Sequence, residues 1–224
     1  MNRVVAPRQL VLALDHATSF AREDFLAGPS NAAALALIES WPDWPNRVMA
    51  LVGPEGSGKT HLASIWAEAA GARVLSAKLL EHGDLPAALA TGALVLEDLA
   101  SASLDEPALF HLLNLAREER AYVLITARAA PTTFPVTIRD LGSRLRAIPV
   151  VTLSAPDDAL LRSLIVKLAA DRQLTVDEAL VNYLANRIER SFAAARAAVT
   201  RLDEEAMRQH RPVTRALAAD LFRA

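Results

Sequence analysis

The stretch Gly53-Pro54-Glu55-Gly56-Ser57-Gly58-Lys59-Thr60 fits the pattern G-x-x-x-x-G-K-[ST] and constrains the fold more than any other part of the chain. Glycines at these positions let backbone N–H groups converge on phosphate oxygens with no Cβ in the way. A helix has to follow, because its N-terminus offers unsatisfied donors and the positive end of the helix dipole to the same anion. The flanks agree. Arg47 to Val52 is a short apolar run that reads as a buried strand, and Lys59 to Ala70 has helical period with Gly71 as a natural stop. The pattern predicts a nucleotide site built from Pro54, Glu55, Gly56, Ser57, Gly58, Lys59, Thr60 and the adjoining His61. Lys59 reaches the β and γ phosphates, and the Thr60 hydroxyl binds Mg²⁺.

Strands and helices alternate around this loop. Arg73 to Ser76, Ala93 to Leu96, Tyr122 to Thr126 and Ile148 to Leu153 read as further strands. Asn31 to Trp41, Leu79 to Leu89 and Pro107 to Arg120 read as helices, with Ser30 or Asn31 as the first N-cap. The alternation implies a parallel sheet of five strands between helices. After Ser154 no strand signal follows. Asp157 to Asp171, Val176 to Ile188, Ser191 to Gln209 and Val213 to Phe222 read as helices, with Ser154 capping the first and Thr175 with Glu178 as a capping box for the second. The expected organisation is a leader over 1–21, an α/β domain over 22–153 and a small all-helical domain over 154–224.

Composition narrows the function classes. The net charge of -2 gives no global basic field, so strong direct DNA binding is not expected. The chain has no cysteine, which removes disulfides and thiolate metal sites and fits a reducing, cytoplasmic setting. No stretch approaches the length of a membrane span, and the short apolar run after Met1, broken by Arg8 and Gln9, does not read as a signal peptide.

Leu94-Val95-Leu96-Glu97-Asp98 is the candidate strand that brings acids to Mg²⁺ and the attacking water. Thr126 and Arg128 follow the next strand; Arg128 either senses the γ-phosphate or is an ordinary surface arginine. Arg144 is either a solvated helix residue or a finger that stabilises charge on a neighbour's phosphates. Arg187 and Arg190 either fold over the nucleotide or face solvent. The five histidines show no metal-ligand spacing.

Together these features resemble the AAA+ ATPases related to DnaA, and within them the Hda family, which regulates that replication initiator. The resemblance covers nearly the whole chain. Gln9-Leu10-Val11-Leu12-Ala13-Leu14 is similar to the N-terminal sliding-clamp-binding peptide of Hda proteins. Gln9 would bond the pocket rim, and Leu10, Leu12 and Leu14 would fill an apolar groove. Ser19 to Asn31, with Phe25, Leu26 and Asn31, is similar to the segment that holds adenine. Gly58-Lys59-Thr60-His61-Leu62 matches the family's loop extension, and Arg139 to Leu145 looks like the box whose final arginine, here Arg144, is the finger. Arg190 falls at the sensor 2 position of the lid, with Arg187 and Arg196 as competitors.

The resemblance implies ADP or ATP with Mg²⁺ held by Thr60 and Glu97. It implies as partners DnaA and the beta subunit of the DNA polymerase III sliding clamp, with a homodimer or larger oligomer as a further assembly. Two departures, Glu97-Asp98 where the family strand begins with Asp, and Arg128 near a sensor position that often carries Asn or Asp, imply weak or no intrinsic hydrolysis. The sequence ends at Ala224, without the helix-turn-helix domain of DnaA, so the expectation is a regulator that activates the initiator's ATPase. The alternatives are an AAA+ helicase loader and a DnaA-type initiator lacking its DNA-binding domain.

Overall fold

The computed structural model describes residues 20–80, 83–100, 102 and 104–222. The clamp-peptide residues Gln9, Leu10, Leu12 and Leu14 lie outside them.

Five strands form one sheet: β1 (Val48–Val52), β2 (Arg73–Ser76), β3 (Ala93–Leu99), β4 (Tyr122–Ala127) and β5 (Val150–Thr152). Their order is β2-β3-β4-β1-β5, and every pairing is parallel. The strand period of two sorts apolar residues onto two faces. Ala50, Val52, Leu94, Leu96, Val123 and Ile125 point to one core, while Met49, Leu51, Val95 and Leu124 point to the other. Both faces are covered, which is why the strands read as continuous apolar runs and not as alternating ones.

Helices α1 (Ala32–Glu39) and α2 (Lys59–Ala70) cover the second face, with Leu62 and Trp66 of α2 at 0% exposure. A fully buried leucine of this kind contributes about 1.5–3 kcal/mol over an exposed one. Trp44 stacks on Trp66 at 4.8 Å and donates its indole N–H to the Leu37 carbonyl. Helices α3 (Leu85–Leu89), α4 (Glu106–Glu118) and α5 (Arg139–Ala147) cover the first face. A third core joins α6 (Asp158–Asp171), α7 (Glu178–Ala185), α8 (Phe192–Gln209) and α9 (Arg215–Leu221) through Leu161, Ile165, Leu180, Val199 and Leu217.

Several local expectations are corrected. The helix expected over Leu79 to Leu89 is a short 3-10 turn (Ala77–Leu79) and then α3. The Asp84 carboxylate accepts from Ala87 N–H and Pro86 sits in the first turn, so a new helix starts there. Helix α6 is capped by Asp157 accepting from Leu160 N–H at 2.8 Å, not by Ser154. Helix α7 is capped by Asp177 accepting from Leu180 N–H at 2.7 Å, not by a Thr175 box. In both cases an aspartate nearer the apolar stripe wins the capping position.

The segment before α1 ties the helical layer to the sheet. Phe25 packs into the α2-side core, and Leu26, one residue on, packs against the C-terminal helical core. Asp24 pairs with Lys167 at 2.6 Å, and Ser154 N–H donates to the Ser30 carbonyl.

A remote cap fixes the start of α5. Helix α5 has no side-chain cap at its own Ile138. Glu106, at the start of α4, accepts from Thr137 N–H, Ile138 N–H and the Thr137 hydroxyl at 2.9–3.0 Å. These donors, the Ile138 N–H foremost, hold the Glu106 carboxyl below its ordinary value of 4.5. A depressed folded-state pKa adds stability above the unfolded value and loses it as pH falls through the folded one. Glu106→Gln is therefore expected to lower the thermal midpoint most at neutral pH, with the gap to wild type closing on acidification below about 4.5. A gap independent of pH in paired melts rejects the anchor.

Candidate nucleotide-binding site

The loop from Gly53 to Gly58 joins the C-terminal end of β1 to α2, at the sheet edge where β3 and β4 also end. Two glycines there are obligatory. A Cβ on Gly53 would lie 2.4 Å from the Leu153 carbonyl oxygen, and Gly58 adopts φ +98. Lys59 is buried at 7% exposure and donates from Nζ to the Gly53 and Pro54 carbonyls at 2.9 and 2.8 Å. Burial pushes its ammonium below the ordinary value of 10.5, and Asp98 chiefly opposes that shift. A buried cation held only by neutral carbonyls is the partner that a polyphosphate needs.

Around the loop lies a cavity of about 730 Å³, within the range of small-molecule sites. Glu55, Gly56, Gly58, Lys59, Thr60 and His61 line it, with Phe20 and Phe25 at one side and Asp98 and Arg128 at another. His61 holds the aromatic side: its Nε2 lies 2.9 Å from the Ala21 carbonyl, and its ring meets Phe20 and Phe25 edge-on at 5.4 and 5.2 Å. Asn31 is buried at 1%, but its amide is used within the chain, accepting from Gly28 N–H and donating to the Leu26 carbonyl. Asn31 and Leu26 therefore shape the segment beside the cavity without lining it.

The two acids stand on a β-bulge. Leu96 pairs with Ile125 and Leu99 with Ala127, so Glu97 and Asp98 together face the single residue Thr126. Asp98 takes φ +57, and its N–H donates to the Thr126 hydroxyl at 3.0 Å. The bulge keeps both acids at the sheet edge, within electrostatic reach of Lys59. Thr126 is 1% exposed and holds the bulge; Arg128 pairs with Glu55 at 2.7 Å across the mouth of the loop.

Two buried oxygens near the loop have no hydrogen-bond partner: Ser57 Oγ and Glu97 Oε1. Such orphans are costly, and they fit a site completed by a cation and phosphate oxygens. Among the described residues no group of three acids or histidines forms a metal cage.

Helix α8 forms the far wall. The Phe192 N–H donates to the Gly56 carbonyl at 2.9 Å, and Ser191 packs so closely that a Cβ on Gly56 would lie 2.9 Å from it. Ala193, Arg196, Ala197, Thr200, Arg201 and Glu204 then line the cavity at helical spacing. Arg190 precedes the helix and turns away, pairing with Asp158 at 2.7 Å; Arg187 lies over the Tyr183 ring in a separate pocket. The α8 face beyond Arg196 is absent from the sequence-predicted site. Its signal was present, because the stripe from Ala193 to Glu204 lies opposite the apolar stripe Ala195, Val199, Leu202 and Ala206.

Arg144 is remote from this cavity. It sits on α5 with its guanidinium 5.2 Å from the Phe110 ring centroid, lining a pocket with Val48 at the opposite end of β1. The length of that strand, about 16 Å, separates it from its own loop, beyond the reach of one arginine side chain.

No protein-family model matches the chain. Its fold is that of solved AAA+ P-loop proteins. Domain III of the replication initiation protein DnaA from Thermotoga maritima superposes with a TM-score of 0.73 at 19% identity, over 91% of this chain and 95% of that one. The RuvB Holliday junction branch migration motor of the same organism gives 0.71 at 18% identity, over 90% of this chain and 70% of that one. AMPPCP-bound DnaA from Aquifex aeolicus gives 0.65 at 18%, over 85% and 69%. Among the described residues no helix is long and apolar enough to cross a membrane.

Proposed function

We propose that the chain is an Hda-like negative regulator of replication initiation, a nucleotide-holding protein that stimulates ATP hydrolysis by DnaA. The observation that carries the reading is the separation of two sites: a phosphate loop roofed by α8, and Arg144 a strand length away, lining a pocket of its own. Such an arginine cannot serve its own nucleotide and suits a neighbour's. The likeness to DnaA domain III supports the class of partner. The leader with Gln9, Leu10, Leu12 and Leu14 would dock on the sliding clamp and raise the local concentration of the chain near clamp-bound DNA.

In this reading ADP or ATP occupies the loop, with its phosphates on Lys59 and the loop amides. Mg²⁺ is held by Thr60 and Glu97, while the base lies toward Phe20 and Phe25. Thr126 and Arg128 shape and close the γ-phosphate end. The cation that reports the nucleotide to the lid is Arg196, on the cavity face of α8, in place of Arg190. Arg196→Ala is expected to weaken nucleotide binding about 10-fold, the scale of one charge-assisted hydrogen bond, while Arg190→Ala leaves it within about 2-fold. Calorimetric titration with ADP that ranks the two variants the other way returns sensor 2 to Arg190. The function itself is tested by mixing the chain with DnaA, ATP and clamp loaded on DNA: DnaA-bound ATP should be hydrolysed faster, and more so with clamp present. An unchanged rate rejects the proposal.

A further inference from the structure

The cavity that Arg144 lines holds about 520 Å³ and opens at the N-terminal edge of the sheet, between the C-terminal ends of α4 and α5. Its charged lining consists of Arg47, Arg117, Arg120 and Arg144 with no carboxylate. Among the described residues none of these guanidiniums has a carboxylate within ion-pair distance, whereas Arg22, Arg128, Arg190 and Arg208 each hold one. Glu118 and Glu119 stand on the same end of α4 but outside the lining. The cluster is also oriented. Arg47 lies 4.6 Å from the Tyr122 ring centroid and donates to the Arg120 carbonyl at 2.7 Å, while Arg144 rests on Phe110. These contacts fix two guanidiniums without neutralising them. In a chain of net charge -2, this is a local positive field with its counter-charge left out.

Beneath the arginines the lining is aliphatic, with Leu113 and Ile148 among its residues. A free phosphate or sulfate would have no use for such a floor. Single-stranded nucleic acid binds by stacking bases on aromatic rings, and the lining contains none. A concave aliphatic floor under a basic rim fits a side chain such as leucine flanked by carboxylates. We propose that this cavity is a docking site for an acidic protein segment that inserts an aliphatic side chain between α4 and α5. The site rests on the proposed regulatory function only in that Arg144 belongs to both; docking there would bring a partner's surface to the finger.

The test uses the full chain and a short fluorescein-labelled peptide alternating Glu and Leu, followed by anisotropy. Saturable binding that weakens with salt is expected. The charge-reversed variant Arg117→Glu/Arg120→Glu should lose at least about tenfold in affinity, and Ala147→Trp, which fills the mouth while keeping every charge, should lose about as much. Both leave Arg144 and the nucleotide site intact, and an unchanged ADP-dependent thermal shift confirms that they fold. Absence of saturable binding overturns the proposal. So does equal affinity for a Glu/Ser peptide or an oligo-dT strand, because charge alone would then suffice, and so does unimpaired binding by Ala147→Trp. DnaA is not in the assay, so failure here is distinct from failure of the regulatory reading.

Discussion

Arg144→Ala should bind nucleotide as the wild-type chain does and yet fail to accelerate ATP hydrolysis by DnaA. An arginine supplied in trans to a phosphoryl-transfer site is worth about 10³–10⁵ in rate, so the loss is expected to be close to complete. The variant should fold, because Arg144 is only half-buried and the contact it makes with the Phe110 ring is worth about 0.5–1 kcal/mol. Arg144→Lys should rescue little, since a compact ammonium does not reproduce the planar fork that bonds two phosphate oxygens at once. Single-turnover hydrolysis of ATP preloaded on DnaA is the measurement. Stimulation retained in full by Arg144→Ala would sink the mechanism; recovery by lysine would mean that only net charge matters there.

Much of the fold was legible because its signals are local. The glycine loop, its flanking strand and helix, the apolar runs of the other strands and the helical tail all follow from periodicity and turn chemistry within a few residues. What escaped depends on pairing across distance. Nothing in Leu94 to Leu99 announces a bulge; it exists because Leu96 and Leu99 must both face the α4-side core, which leaves Glu97 and Asp98 sharing the space opposite Thr126. Which arginine reaches the cavity from the lid depends on distance in the same way. Arg190 and Arg196 are both plausible on a linear string, and only the docking of Ser191 and Phe192 on Gly56 decides which of them follows the helix face into the cavity. The resemblance puts Asn31 in the adenine-holding segment, whereas its amide closes the loop from Leu26 to Gly28. Small polar residues beside a ligand cavity often serve the backbone first.

Replacing Lys59 with alanine should separate the nucleotide from the rest of the protein. The wild-type ammonium is desolvated and bonded to two loop carbonyls. Removing it takes a costly buried charge out of the free protein, so the midpoint of the nucleotide-free variant should stay level or rise. Its phosphate contacts are charge-assisted, each worth about 1.5–3 kcal/mol, and losing them should weaken ADP or ATP binding about 10²-fold. The consequence for melting is large. Nucleotide at 100 times Kd stabilises by about 2.7 kcal/mol; after a hundredfold loss the same concentration equals Kd and contributes only about 0.4 kcal/mol. At about 2–4 °C per kcal/mol for a chain of this size, most of the nucleotide-dependent shift disappears. A full shift in Lys59→Ala would mean that the loop amides alone hold the phosphates. Combined with Arg144→Ala, the variant also says what the nucleotide is for. If Lys59→Ala loses stimulation of DnaA although Arg144 is intact, the bound nucleotide sets the posture from which the finger acts. If stimulation survives without nucleotide, the loop is a structural clasp and the finger needs no signal from it.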